Sequence, residues 1–196
     1  MEFIDEYEKY DFSIKICLVG EISVGKTLFL ERIEYDKNLN NSEFFNNHLK
    51  NYHPTFVVDF KIFAIKFKNK IIKIQIVDCS GDENFEKSKF YFRKCKVFLI
   101  MYNFMNRNSF EKGEKIYYDL IKNYNNSIYY LIRCKYDLSL NALKKESKND
   151  FVTDEEALEF ATINNIFFAH MSCKEKHETG IKELFTNIFN QIDLFK

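Results

Sequence analysis

The 196-residue sequence predicts an α/β fold: a six-stranded, mostly parallel sheet with one antiparallel strand, flanked by helices. Three observations lead there. Apolar runs alternate with helix-patterned stretches, the order from which parallel sheets wrapped by helices are built. One apolar run, Ile14-Lys15-Ile16-Cys17-Leu18-Val19, feeds through a glycine-bearing turn into the helix-like run Leu28-Phe29-Leu30-Glu31-Arg32-Ile33. Two further apolar runs are separated only by the short polar turn Lys68-Asn69-Lys70, which reads as a hairpin and adds the antiparallel strand.

In chain order the strands are expected at residues 14–19, 56–67, 71–77, 97–102, 128–133 and 167–171. Helices are expected after the glycine turn, near 109–123, near 154–164 and near 180–195. Thr153 with Glu156 three residues on forms a capping box for the third helix. Residues 38–47, rich in Asn, and 139–150 read as surface insertions. The length suits one domain, residues 1–196, able to bury a core without disulfides or metal.

Charge excludes some classes of partner. The 29 basic and 29 acidic residues cancel, with no long block of one sign, so no attraction to nucleic acid or to an anionic membrane is expected. Five cysteines without close-paired spacing suit a reduced, cytoplasmic protein. No stretch approaches the roughly 18 apolar residues of a membrane span. Neither Met1-Glu2 nor Leu194-Phe195-Lys196 carries a lipidation signal, so a soluble monomer is expected, reaching membranes only through a partner. His48, His53, His170 and His177 show no ligand spacing and predict no zinc site.

The turn between the first strand and helix is Gly20-Glu21-Ile22-Ser23-Val24-Gly25-Lys26-Thr27, a complete phosphate-binding loop in the strand-to-helix setting it needs. Its backbone N–H groups and the helix N-terminus suit an anionic phosphate. Lys26 reaches the β- and γ-phosphates, and the Thr27 hydroxyl goes to Mg²⁺. Thr55, after the single proline Pro54, can bind Mg²⁺ through its hydroxyl and meet the γ-phosphate through its N–H. Asp78 ends an apolar strand where ligands of open α/β sheets bind, and can hold the Mg²⁺ water shell. Gly81 can offer its N–H to the γ-phosphate.

The apolar strand at 128–133 runs into Cys134-Lys135-Tyr136-Asp137. An ionised Asp137 accepts from guanine N1–H and the 2-amino group, donors that adenine lacks, so the base expected is guanine. Ser172-Cys173-Lys174 closes the same pocket through a backbone N–H to guanine O6, and Lys135 and Lys174 line the base with their alkyl stems. The nucleotide-contacting set is therefore Gly20, Glu21, Ile22, Ser23, Val24, Gly25, Lys26, Thr27, Leu28, Thr55, Gly81, Cys134, Lys135, Asp137, Ser172, Cys173 and Lys174. Metal-binding roles fall to Thr27, Thr55 and Asp78, and catalytic ones to Lys26 and Thr55.

These motifs, in this order, resemble a Ras-superfamily small GTPase. Thr55-Phe56-Val57-Val58-Asp59-Phe60, Tyr91-Phe92-Arg93, Met101-Tyr102-Asn103 and Asn108-Ser109-Phe110 resemble its Rab branch. The resemblance covers about residues 12 to 192. It implies the small G-domain form of the P-loop NTPase fold, GTP and GDP as ligands with Mg²⁺, and a role in vesicle trafficking or signalling. It also implies effectors and exchange factors meeting residues 48–60 and 79–93.

Several positions depart from the family pattern. Asp82 stands where the family has the glutamine that orients the attacking water, and a carboxylate supplies only acceptors. Ile22 stands where a small residue leaves room for that glutamine and for an incoming arginine. Both changes predict slow GTP hydrolysis. Cys134 replaces the Asn or Thr that ties the base edge to the phosphate loop, at an expected cost of about 1–3 kcal/mol in affinity. Val77 replaces a tryptophan of an aromatic triad whose other members match Phe60 and Tyr91. The segment from Asp78 to Arg93 is one residue short, turning its helix by about 100°. The residue stacking on guanine is His48, Phe44 or Phe45. The alternative reading is a pseudo-GTPase that holds one nucleotide and serves as a constitutive docking module; Lys135-Tyr136-Asp137 argues against an ATP-dependent kinase.

Overall fold

Strand β2 (Phe12–Val19) runs through the middle of the molecule, and its residues from Ile16 to Val19 are almost wholly excluded from solvent. A strand buried on both faces needs apolar side chains at successive positions, and Ile16-Cys17-Leu18-Val19 meets that need. The chain is seen in a computed structural model that describes residues 2–4, 9–37, 58–79, 89–138, 151–173 and 180–192.

Around β2 the chain lays down β1 (Glu2–Ile4), α1 (Lys26–Lys37), β3 (Val58–Phe67), β4 (Lys70–Cys79), β5 (Val97–Asn103), α2 (Arg107–Ile121), β6 (Ile128–Cys134), α3 (Asp154–Ile163), β7 (Phe167–His170) and α4 (Ile181–Gln191). Spatial order in the sheet is β1-β3-β4-β2-β5-β6-β7. β2 pairs in parallel with β4 and β5, and β5–β6 and β6–β7 are parallel as well. β3 is antiparallel to both β1 and β4, so it alone runs against the other six. All six expected strands are present. The addition is β1, a three-residue edge strand too short to leave a periodic signal.

The hairpin between β3 and β4 closes through Lys68 (φ 47°) and Asn69 (φ 62°), two positive-φ residues in succession. That geometry matches the twist of the flanking strands, and it is reached here without glycine. Helix α3 starts as expected: the Thr153 hydroxyl accepts from the Glu156 amide at 3.2 Å. The Glu156 carboxylate is held chiefly by Arg107 of α2, which bonds both of its oxygens and keeps the carboxyl below its usual range.

One sheet face packs against α1 and α4 through Phe29, Leu30, Ile33, Leu184, Phe185, Ile188 and Phe189. The spacing of the last four is a helical stripe. Phe63 meets Phe185 edge-on and Phe67 meets Phe189 at 5.2 Å, so this face is aromatic-rich. The other face packs against α2 and α3 through Phe110, Tyr117, Leu120, Ala157 and Phe160. Covering both faces leaves the C-terminal ends of the parallel strands as the open edge, and the site lies there. The five cysteines, all among the described residues, form no disulfide. Among the described residues no helix is long and apolar enough to cross a membrane. The surface insertions expected at 38–47 and 139–150 lie outside the described residues.

Candidate functional site

The turn after β2 takes its shape from local backbone demands. Gly20 has φ +143°, and a Cβ there would lie 2.2 Å from the Met101 carbonyl oxygen of β5, so only glycine fits. Gly25, at φ +116°, has nothing within 4 Å of where a Cβ would be, which leaves an open concavity beside the helix N-terminus. Ser23 also has positive φ. The Lys26 side chain folds back across the loop, its ammonium donating to the carbonyls of Gly20 at 2.9 Å and Glu21 at 2.7 Å. Burial lowers its pKa while the nearby Asp78 carboxylate opposes the shift. The Glu21 carboxylate is engaged by Asn108 and Lys112 of α2, while its backbone carbonyl takes the Lys26 ammonium. Ile22 is 48% exposed, outside the core.

Thr27 and Asp78, 51 residues apart in sequence, meet here: the Thr27 hydroxyl donates to Asp78 at 2.6 Å. Register pairing of Leu18 with Asp78 brings them together, and Asp78 is fully buried. A hydroxyl and a carboxylate are hard oxygen donors of the kind Mg²⁺ takes, and two protein ligands are typical where phosphates supply others. Among the described residues no group of three or more His, Cys, Asp or Glu converges on one point.

The second half of the site is a cavity of about 150 Å³ lined by Val24, Gly25, Leu28, Cys134, Lys135, Asp137 and Cys173. It joins the phosphate loop and α1 to the end of β6 and the segment after β7. All seven residues belong to the set expected from sequence. Asp137 is fixed by the buried Ser172 hydroxyl, which donates to it at 2.9 Å. Lys135 takes φ +61°, a left-handed turn that reverses the chain at the pocket wall. The Cys134 thiol is buried, points its hydrogen to the Ile132 carbonyl at 3.7 Å, and is pushed up to about 12 by burial, so it stays a neutral thiol.

Thr55, Gly81, Asp82 and Lys174 lie outside the described residues, as do His48, Phe44, Phe45, His53 and His177. Of the aromatic positions, Phe60 pairs in register with Val77 and is 59% exposed, while Val77 is buried and Tyr91 half-buried. Two residues near the site went unread in the sequence. Buried Arg32 of α1 donates to the Cys173 carbonyl at 3.4 Å, bracing the last pocket segment. Buried Arg133 stands directly before Cys134. A charged residue inside the apolar run Ile128-Tyr129-Tyr130-Leu131-Ile132-Arg133-Cys134 was the available signal.

A phosphate loop at the edge of a largely parallel sheet, with a base-sized cavity opposite, defines a nucleotide-binding α/β protein. The comparisons narrow this. The sequence matches the Ras family over residues 15–194. It is 31% identical over 192 residues to the Ras-related protein Rab-11B of Dictyostelium discoideum, covering 96% of this chain and 78% of the relative. It is 29% identical over 184 residues to the Ras-related protein Rab-1 of Theileria parva, covering 92% and 74%. Over 190 residues it is 27% identical to the GTP-binding protein ypt1 of Schizosaccharomyces pombe, covering 94% and 82%. The chain belongs to the Ras family and, within it, to the Rab type. Proteins of that family bind GTP and GDP, generally with Mg²⁺.

Proposed function

We propose that this chain is a Rab-type molecular switch in vesicle trafficking that binds GTP and GDP and hydrolyses GTP slowly. The observation that supports it best is the cavity in which Asp137 and Lys135 face Gly25 and Leu28 of the phosphate loop and first helix. Asp137, oriented by Ser172, presents acceptors to the guanine edge, and adenine in that place would leave those acceptors without their base donors. The Gly20–Thr27 backbone and Lys26 hold the phosphates. Mg²⁺ would be held by Thr27 and Thr55, with Asp78 binding its water shell, and when bound it neutralises charge building on the β- and γ-phosphates. Gly81, Cys173 and Lys174 complete the contacts.

Slow turnover follows from Asp82 and Ile22. An ordinary Ras-type site turns over at about 3–5 × 10⁻⁴ s⁻¹ unaided, and a partner's arginine adds roughly 10⁵-fold. Both figures assume a glutamine that Asp82 does not replace, and Ile22 stands exposed in the arginine's path. The chain acts as one cytoplasmic monomeric domain, reading out its nucleotide through effectors and exchange factors at residues 48–60 and 79–93. The buried Cys134 thiol favours one rival reading, a pseudo-GTPase docking module, because it does not tie the base to the phosphate loop.

The test is to identify the nucleotide released on denaturing the purified protein, then follow single-turnover hydrolysis of preloaded GTP. Guanine nucleotide with a measurable rate several-fold or more below the ordinary ~3–5 × 10⁻⁴ s⁻¹ supports the switch. Guanine nucleotide with no turnover supports the docking module. Adenine nucleotide, or GTP turnover at the ordinary Ras-type rate, contradicts the proposal.

A further inference from the structure

Arg133 is 7% exposed, the penultimate residue of strand β6 before the pocket. Burying a guanidinium costs more than burying an apolar side chain of the same volume, so its surroundings indicate what the charge provides. Its Nη1 donates to Asp154, the first residue of α3, at 2.5 Å. Its guanidinium carbon lies over the Phe104 ring, 4.3 Å from the ring centre, and over the Tyr136 ring, 5.4 Å from its centre. Tyr102, its register partner on β5, lies beside it. Among the described residues neither the Arg133 Nε nor the Tyr102 hydroxyl has a hydrogen-bond partner, though both are buried. Apart from the bond to Asp154, the guanidinium's contacts among the described residues are to rings. The arginine supplies a flat cation fixed against two rings.

One of those rings belongs to the base-reading turn. Tyr136 stands between Lys135 and Asp137, which line the cavity, while its own half-exposed ring packs against Arg133 instead. The left-handed Lys135 makes that division possible. The Tyr136 amide donates to the Met171 carbonyl at 3.3 Å, and its ring meets His170 at 4.9 Å. Tyr136 is thus the anchor of a short reversal whose other side carries Asp137, and Arg133 carries the pull of α3 to that anchor through Asp154.

We infer that Arg133 is a positioning residue for guanine recognition: caged by Phe104 and Tyr136 and tied to Asp154, it holds the turn that sets Asp137 against the base edge. This rests on the reading that Asp137 recognises guanine. Arg133 does not line the cavity, and its effect is confined to the base end. Removing it should loosen the contacts with N1–H and the 2-amino group while leaving the phosphate contacts intact.

The experiment measures dissociation constants of GDP, inosine diphosphate, which lacks the 2-amino group, and ADP for the unmodified chain, Arg133→Met and Asp154→Asn. Asp154 is half-exposed at a helix start, so its variant keeps the fold if Arg133→Met does not. Expected is a GDP-over-ADP preference that falls roughly tenfold in Arg133→Met and less in Asp154→Asn, with ADP affinity nearly constant and inosine diphosphate, which keeps only the N1–H contact, losing less than GDP. Equal losses for GDP and ADP, or an unchanged GDP-over-ADP ratio in both variants, overturn the inference and leave Asp137 as base reader. A lack of preference for GDP over ADP in the unmodified chain overturns the underlying reading as well.

Discussion

The two ends of the site are built in different ways. At the phosphate end the chain shapes the site locally: eight consecutive residues, with glycine where a Cβ would strike Met101 and again beside the open concavity at Gly25, and a lysine that folds onto its own loop. At the base end no short segment suffices. Cys134 to Asp137 depend on Ser172, on the Met171 carbonyl and on Arg133 and Asp154 behind them, and the facing Cys173 is braced by Arg32 from α1. The phosphate end is therefore intolerant of backbone change. The base end is tunable by side chains several elements away.

The largest effect that sharpens this contrast is expected at Gly20. Gly20→Ala places a methyl against a backbone carbonyl at a φ that L-residues avoid, and should cost about 2–4 kcal/mol of folding stability, read as a lowered denaturation midpoint. A midpoint within about 0.5 kcal/mol of the unmodified chain would mean the loop yields easily. Next comes Lys26→Met. Loss of a charged donor should weaken GDP and inosine diphosphate alike by roughly 10- to 100-fold, with their ratio unchanged, because the side chain lies at the phosphate end. A changed base preference would break the division of labour.

A smaller, opposite effect is expected of Cys134→Asn. The buried thiol makes only a long contact to Ile132, and an amide in its place can link base and phosphate loop, slowing GDP release by about tenfold. Faster release would show that the pocket is already packed around sulfur.

The smallest effect is a pH dependence at His170. Burial lowers its pKa below the usual 6.5 and Arg133 pushes the same way, while Asp154 opposes them. The unfolded chain then binds the proton more readily than the folded one. Stability is full above the ordinary histidine pKa and is lost as pH falls through the depressed folded value. His170 is well over a third exposed, so the slope is shallow. Urea midpoints between about pH 5 and 7.5 should fall slightly toward acid, and His170→Gln should flatten that trend. A midpoint that rises toward acid reverses the sign.

The same contrast explains what the sequence disclosed. Strand and helix order, the hairpin and the whole Gly20–Thr27 loop are local patterns, and each was legible. Val24, Gly25, Leu28, Cys134, Lys135, Asp137 and Cys173 were all expected at the nucleotide and do share one cavity. Short edge strand β1 escaped because three residues carry no periodicity. Arg32 and Arg133 escaped because their partners, Cys173 and Asp154, lie 141 and 21 residues away, and no spacing rule joins them. The Glu156 carboxylate, expected to reach back to its own helix start, is held chiefly by Arg107, since a charged partner on a neighbouring helix outweighs a local amide.

The claim on which the rest depends is that Asp137 reads guanine, and one substitution tests it directly. Asp137→Asn exchanges an acceptor for a donor at the base edge, where xanthine carries a 2-oxo group in place of the 2-amino group. Competition between GTP and xanthosine triphosphate for the purified variant should show GTP weakened by at least about tenfold and the xanthine nucleotide bound more tightly than by the unmodified chain. If GTP affinity is unchanged and the xanthine nucleotide gains nothing, Asp137 does not face the base.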